Sequence, residues 1–151
     1  MKIRKSSLIF KNVISAKIQS NDDEWREDIK DFKELVTKSG IYPVGPVFFK
    51  ISKEDRYLQN KDYILYIPMN LPIQFKGNDI CSFIGDFKLK ECLAIKQIDL
   101  DDNIEDYYMI LSDCAMQNKM KLGDDIYHVY LENYGVEVVD IFVPIVESDY
   151  K

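Results

Sequence analysis

The sequence predicts an α+β fold in which two βαββ repeats form one pseudo-symmetric antiparallel sheet, with helices on one face and a cleft on the other. Two observations predict it. Two short apolar strands each end on a proline, Tyr63–Met69 and Asp140–Val146, and Pro68 and Pro144 lie 76 residues apart, about half of the 151-residue chain. Upstream of each, in the same order, come a strand-like segment, an amphipathic helical segment with charged flanks, a turn and an aromatic strand. Antiparallel strands that bury one face under helices produce such an order. The first repeat is expected over residues 7–69 and the second over 80–146, within a single domain of residues 1–151.

The elements follow in turn. In SLIFKNVISAKIQ (Ser7–Gln19), Leu8 and Phe10 share one parity, as do Ile14, Ala16 and Ile18, which predicts a long strand bent near Asn12. The cluster Ser20, Asn21, Asp22 and Asp23 offers helix caps and acids for the positive end of a helix dipole. Trp25, Ile29, Phe32 and Val36 then recur at helical spacing, with Leu35 widening the stripe, and Gly40 supplies the stop. Pro43 and Pro46 exclude a central ladder position, so the next strand starts near Val47. The polar run Ser52–Asp62 is a surface loop, and the first proline-ended strand follows it.

Residues 70–79, with Pro72, Gly77, Asn78 and Asp79, read as the linker between the halves. Residues 80–98 supply the second long strand, with Gly85 marking a bulge or bend. Asp99–Asn103 again stacks caps, and Ile104, Tyr108, Leu111 and Ala115 form the second helical stripe. The turn Lys121–Asp125, the strand Ile126–Leu131 and the hairpin loop Glu132–Glu137 lead to the terminal strand.

Composition bounds the function. With 46% hydrophobic and 30% charged residues the chain is globular rather than disordered. A net charge of −6 and no basic stripe argue against nucleic acid; Lys2, Arg4 and Lys5 read as a solvated terminal trio. The three cysteines, without a CxxC, read as buried reduced thiols, and with His128 the only histidine no metal is expected. The apolar run Leu8–Phe10 is too short for a signal segment, and Tyr63–Phe75 falls short of the roughly 18 residues of a membrane span. A cytoplasmic protein without cofactors is the resulting expectation. The ten tyrosines suit walls that are apolar in body and polar at the tip.

Alternation on the terminal strand puts Val139, Ile141 and Val143 under the helices and Asp140 and Phe142 on the opposite face. Aligned by the prolines, Ile64 and Tyr66 take those two places in the first half, with Tyr63, Leu65 and Ile67 in the core. Val47, Phe49 and Ile51 correspond to Ile126, His128 and Tyr130, and periodicity leaves open which face these six share.

Three segments, Gly40–Phe48 (GIYPVGPVF), Tyr127–Leu131 (YHVYL) and Asp140–Ile145 (DIFVPI), in order and at repeat spacing, resemble the gyrase-inhibitor-like family, the effector-binding domains of bacterial multidrug-responsive regulators. The resemblance spans nearly the whole chain. It implies two βαββ repeats with a cleft between them that holds amphipathic, often cationic, small molecules against aromatic side chains and a buried glutamate. Here Asp140 stands where the family's terminal strand usually has Glu, and His128 stands where a second Glu is frequent. Some members hydrolyse electrophilic compounds with an acid and a tyrosine; with Asp for Glu that activity is not extended to this chain. No helix-turn-helix pattern is read ahead of the first strand, so the likeness to the regulators is expected to be partial. The chain also resembles uncharacterised proteins of this length encoded near type VII secretion and toxin genes, which would make the sheet a protein-docking surface.

The candidate ligand-binding residues are therefore Phe49, Tyr66, His128, Tyr130, Asp140 and Phe142, and no catalytic residue is assigned. Asp140 reads equally as a solvated strand acid or as a counter-charge facing the cleft. His128 has no serine or cysteine nucleophile at a recognisable spacing. Trp25 belongs to the core or roofs the cleft. The charged runs SKEDR and DLDDNIEDYY read as solvated faces and helix entry. Three functions follow: a domain that binds an amphipathic or cationic small molecule, an adaptor or toxin-associated partner without a small ligand, and a hydrolase built on the same cleft.

Overall fold

The computed structural model describes residues 2–38, 40–73 and 81–148. Nine elements follow one another: β1 (Arg4–Ser20), α1 (Trp25–Thr37), β2 (Phe48–Ser52), β3 (Lys61–Pro68), β4 (Cys81–Gln97), α2 (Ile104–Gln117), β5 (Met120–Leu122), β6 (Asp125–Asn133) and β7 (Val136–Ser148). The strand order is β4-β1-β3-β2-β6-β7-β5, with every pairing antiparallel. The two proline-bearing strands hold equivalent places, Pro68 opposite Val13 of β1 and Pro144 opposite Cys92 of β4. Only β3 ends at its proline; contrary to expectation, β7 runs on past Pro144 to Ser148, where β5 pairs with it. Between the halves, β2 and β6 pair at the centre, with Phe49 opposite His128.

β4 also pairs with β7, from Cys92–Pro144 to Gln97–Val139, so six strands close into a ring. Length makes this feasible. β1 and β4 each have 17 residues, enough to run beside one another and still pair with a strand of their own half. Both bend at matching points. Asn12 has φ 57°, and the register around it places Gly85 opposite. Past these two residues the strands exchange parity, so that Phe10 and Val13, and equally Phe87 and Ile84, face the same side. A single bulge lies further along, where Ser6 pairs with Cys92 and Leu8 with Leu89.

Two apolar layers result. On the helix side, Leu65, Ile67, Ile95 and Ile141 pack under Ile29 and Val36 of α1 and Tyr108, Leu111 and Ala115 of α2. On the ring side, Phe48 is fully buried, with its centroid 4.8–4.9 Å from those of Phe10, Tyr66 and Phe87; Tyr127 and Phe142 complete the cluster. A ring this small leaves room only for its own side chains.

Local signals explain the helix boundaries. The Asn21 side chain accepts hydrogen bonds from the backbone N–H groups of Asp23 and Glu24, ahead of α1. The Asn103 side chain caps α2 by accepting from the Glu105 N–H at 3.1 Å. Gly40, at φ +89°, takes the left-handed conformation that stops α1. The hairpin joining β6 to β7 has only two loop residues, Tyr134 and Gly135, both at positive φ, which matches the twist of the strands it joins.

Some expectations need correction. Leu35 does not widen the α1 stripe; it is 70% exposed, because only positions in register with Ile29 and Val36 reach the sheet. Of the three cysteines only Cys92 is fully buried, Cys81 and Cys114 being partly exposed. The expected turn Lys121–Asp125 is shorter than predicted: Met120–Leu122 form the short strand β5 against the end of β7, and Asp125 already begins β6. Gly77, Asn78 and Asp79 of the expected linker lie outside the described residues, as does Ile80 at the start of the expected second long strand.

Candidate functional site

The N-terminal turns of α1 and α2 converge over the centre of the sheet and enclose a cavity of about 250 Å³. Its floor comes from the central strand pair and β3. The Phe49 ring stacks on the His128 imidazole at 4.5 Å and 9°, and Tyr63 meets Phe49 at 5.1 Å. Trp25, the first residue of α1, closes one side, 5.2 Å from Phe49 and edge-on to Tyr130 at 5.4 Å. Tyr108, from the first turns of α2, closes another, with Oη 2.6 Å from His128 Nε2. Strand alternation puts Phe49, Ile51, His128 and Val139 on this side, while helical spacing brings Ile104 and Tyr108 down to meet them.

The floor is uncharged. His128 is 1% exposed, and burial lowers its pKa to about 3; the nearby charge of Lys61 acts in the same direction, against the backbone of Phe49 and Ile126. The imidazole is therefore neutral at physiological pH. Tyr108 is held protonated, its pKa raised well above the ordinary value first by burial and then by Glu105. Charges gather at the rim instead, where Asp22, Asp102 and Glu105 face Arg26, Arg56 and Lys61. Lys61 lies 3.0 Å from Asp22, Asp102 accepts from Tyr107 Oη at 2.9 Å, and Arg26 reaches Glu137 at 3.2 Å. Among the described residues, no group of three His, Cys, Asp or Glu is gathered as metal ligands.

The six residues singled out in the sequence do not converge. Phe49 and His128 line the cavity. Tyr130 adjoins it through Trp25, and its hydroxyl donates to Glu137. Tyr66 and Phe142 belong to the ring cluster, and Asp140 shares the Phe142 side of β7. Asp140 is 8% exposed and paired with Arg4, whose guanidinium also lies 5.5 Å from the Phe142 ring centroid. The cleft expected on the face away from the helices is thus filled by aromatic side chains and by the chain's own cation. A depression on that side, lined by Lys17, Lys50, Ile64 and Asp125 among others, contains none of the six.

Arg56, Asp102, Asn103 and Glu105 were missed because charged runs ordinarily read as solvated surface. The signal that could have found them is position. Asp102, Asn103 and Glu105 surround the start of α2, and Arg56 sits in the loop joining β2 to β3, so all four border the centre of the sheet.

Comparison with known proteins agrees with this architecture. The chain is similar to the C-terminal domain of EcmrR, with 14% identity over 97% of this chain and 99% of that domain, at a TM-score of 0.72. It is similar to EcmrR in its complex with DNA, with 15% identity over 95% of this chain at a TM-score of 0.70, and spans 57% of that protein's chain. An uncharacterized conserved protein from Listeria innocua shares 9% identity over 94% of this chain and 92% of that one, at a TM-score of 0.56. At these identities the likeness is one of fold, and it agrees with the coarse resemblance to gyrase-inhibitor-like domains. It lends no support to a link with type VII secretion. No curated protein matches the chain. No helix among the described residues is long and apolar enough to cross a membrane. Residues 9–147 match the family described as "Domain of unknown function (DUF5085)", and the chain belongs to that family.

Proposed function

We propose that this member of the DUF5085 family is a single small-molecule-binding domain that holds an amphipathic ligand in the cavity between its two helices. One observation carries the reading: a concave site at the junction of the two halves, floored by the stacked Phe49–His128 pair, walled on one side by Trp25 and rimmed by charged side chains. Ligand pockets are ordinarily concave sites in which aromatic and apolar walls combine with fixed polar groups, and here the polar share is large. At about 250 Å³ this one lies just below the roughly 300–1,000 Å³ typical of such pockets, so it suits a molecule of one or two rings.

The cationic part of the sequence-based reading loses its support. Asp140 is already paired with Arg4 on the other side of the sheet, and the residue at the cavity floor is a neutral imidazole.

Trp25 is the chain's only tryptophan and lines the site, so its fluorescence reports binding directly. A panel of one- and two-ring aromatic amphiphiles should give saturable changes, and Phe49→Ala should weaken the best binder at least about tenfold, the loss of one good aromatic contact. No saturable change across the panel would refute the reading and favour a protein-docking role.

A further inference from the structure

Among the described residues, three buried side-chain atoms lack a hydrogen-bond partner: Arg56 Nε, His128 Nδ1 and Asp140 Oδ1. The first two belong to residues that line the cavity. The Arg56 Nε–H can only donate. Its facing acid, Glu105, lies 3.6 Å away, an ion pair too long for a hydrogen bond. His128 and Tyr108, both uncharged, carry two polar hydrogens between them, and one lies in the bond that joins them. In either tautomer the pair retains one N–H or O–H to give. With the Tyr108 hydroxyl donating to Nε2, the spare hydrogen lies on His128 Nδ1 and both atoms left over at this site are donors; with the proton on Nε2, the spare hydrogen is the Tyr108 O–H and Nδ1 is an acceptor.

Three acids and three bases balance formally at the rim; Asp22 pairs with Lys61, Arg26 with Glu137, and Asp102 accepts from the Tyr107 hydroxyl, so Arg56 and Glu105 are the loosely engaged pair. The N-terminal ends of both helices also border the cavity through Trp25 and Ile104, each with acids in its first turn, Glu27 and Asp28 in α1 and Glu105 and Asp106 in α2. Arg56 also lies beside Tyr108, its guanidinium 6.0 Å from that ring, so Arg56 and His128 flank one side chain.

We infer that the cavity is selective for a planar aromatic carboxylate, with its ring against Trp25 and Phe49 and its oxygens accepting from Arg56 and from the His128–Tyr108 pair. The inference rests on the ligand-binding reading and specifies its chemistry. Guanidinium–carboxylate recognition supplies the charge-assisted bond that Glu105 is placed too far to make.

The test compares three probes that share one ring system, naphthoate, naphthamide and naphthylmethylammonium, titrated into the full chain near pH 7.5 and followed by Trp25 fluorescence and calorimetry. Naphthoate should bind at least about tenfold more tightly than the other two. Arg56→Gln should remove that advantage, bringing naphthoate down to the affinity of the amide. Glu105→Gln, which removes the one acid facing Arg56, should tighten naphthoate selectively and provides a second variant should Arg56→Gln not fold. An ammonium probe that binds as well as the carboxylate, or a preference unchanged in both variants, overturns the carboxylate inference and leaves the binding reading standing. Failure of all three probes overturns both.

Discussion

Lowering the pH from about 7.5 to about 5 should destabilise this fold through His128. In the folded chain the buried imidazole has its pKa lowered from 6.5 to about 3, with desolvation the largest cause. The unfolded chain therefore takes up a proton as the pH falls through about 6.5, while the folded chain does not. Stability is fully present above the unfolded pKa and is lost as the pH falls towards the folded one. At about 1.4 kcal/mol per unit, the window from 6.5 to 5 costs roughly 2 kcal/mol, and the full separation on the order of 5 kcal/mol. His128 is the only histidine, so no other side chain has an ordinary pKa in this window. Urea unfolding of the wild type and of His128→Gln at both pH values isolates the effect, because carboxylate titration is common to both proteins. The wild type should lose about 2 kcal/mol more than the variant on acidification. Equal losses would refute the argument, since they would mean that the imidazole can be protonated in place.

Two further predictions concern the ring side. Phe48→Ala removes a fully buried ring that contacts three others, and should cost about 3–5 kcal/mol in thermal or urea unfolding. A loss below about 1 kcal/mol would mean that the interior is not packed as described. Asp140→Asn should cost only about 1 kcal/mol, because the Arg4 side chain is 35% exposed and partly solvated, and should leave ligand affinity unchanged. A clear loss of binding in that variant would return Asp140 to the site.

The repeat was legible because it is written in local signals. Pro68 and Pro144 take matching registers on β3 and β7, although only β3 ends at its proline, Asn12 marks a true bend, and the alternation of Val139, Ile141 and Val143 assigned the helix side correctly. The site was less legible, for two reasons. Phe48 and Phe49 are both large, apolar and buried, on opposite sides of one strand, so alternation could not say which side His128 shared. Closure of the ring depends on β4 pairing with both β1 and β7, a matter of long-range register that no local period records. With closure unseen, Tyr66, Asp140 and Phe142 looked like the walls of a cleft, when they belong to a packed interior and an internal ion pair.

That closure has a consequence for how the chain acquires its shape. Arg4 must find Ala94, and Phe48 must find Val129, so the first half emerges during synthesis with two sides of its strands lacking the neighbours they will eventually have. Contacts so distant in sequence slow folding and prolong the interval in which strand backbones can pair with the wrong chain. Once β7 has docked on β4, the six strands of the ring have a neighbour on either side, and the short β5 alone ends the ladder. Vulnerability to edge-to-edge aggregation is therefore concentrated before completion and largely withdrawn afterwards.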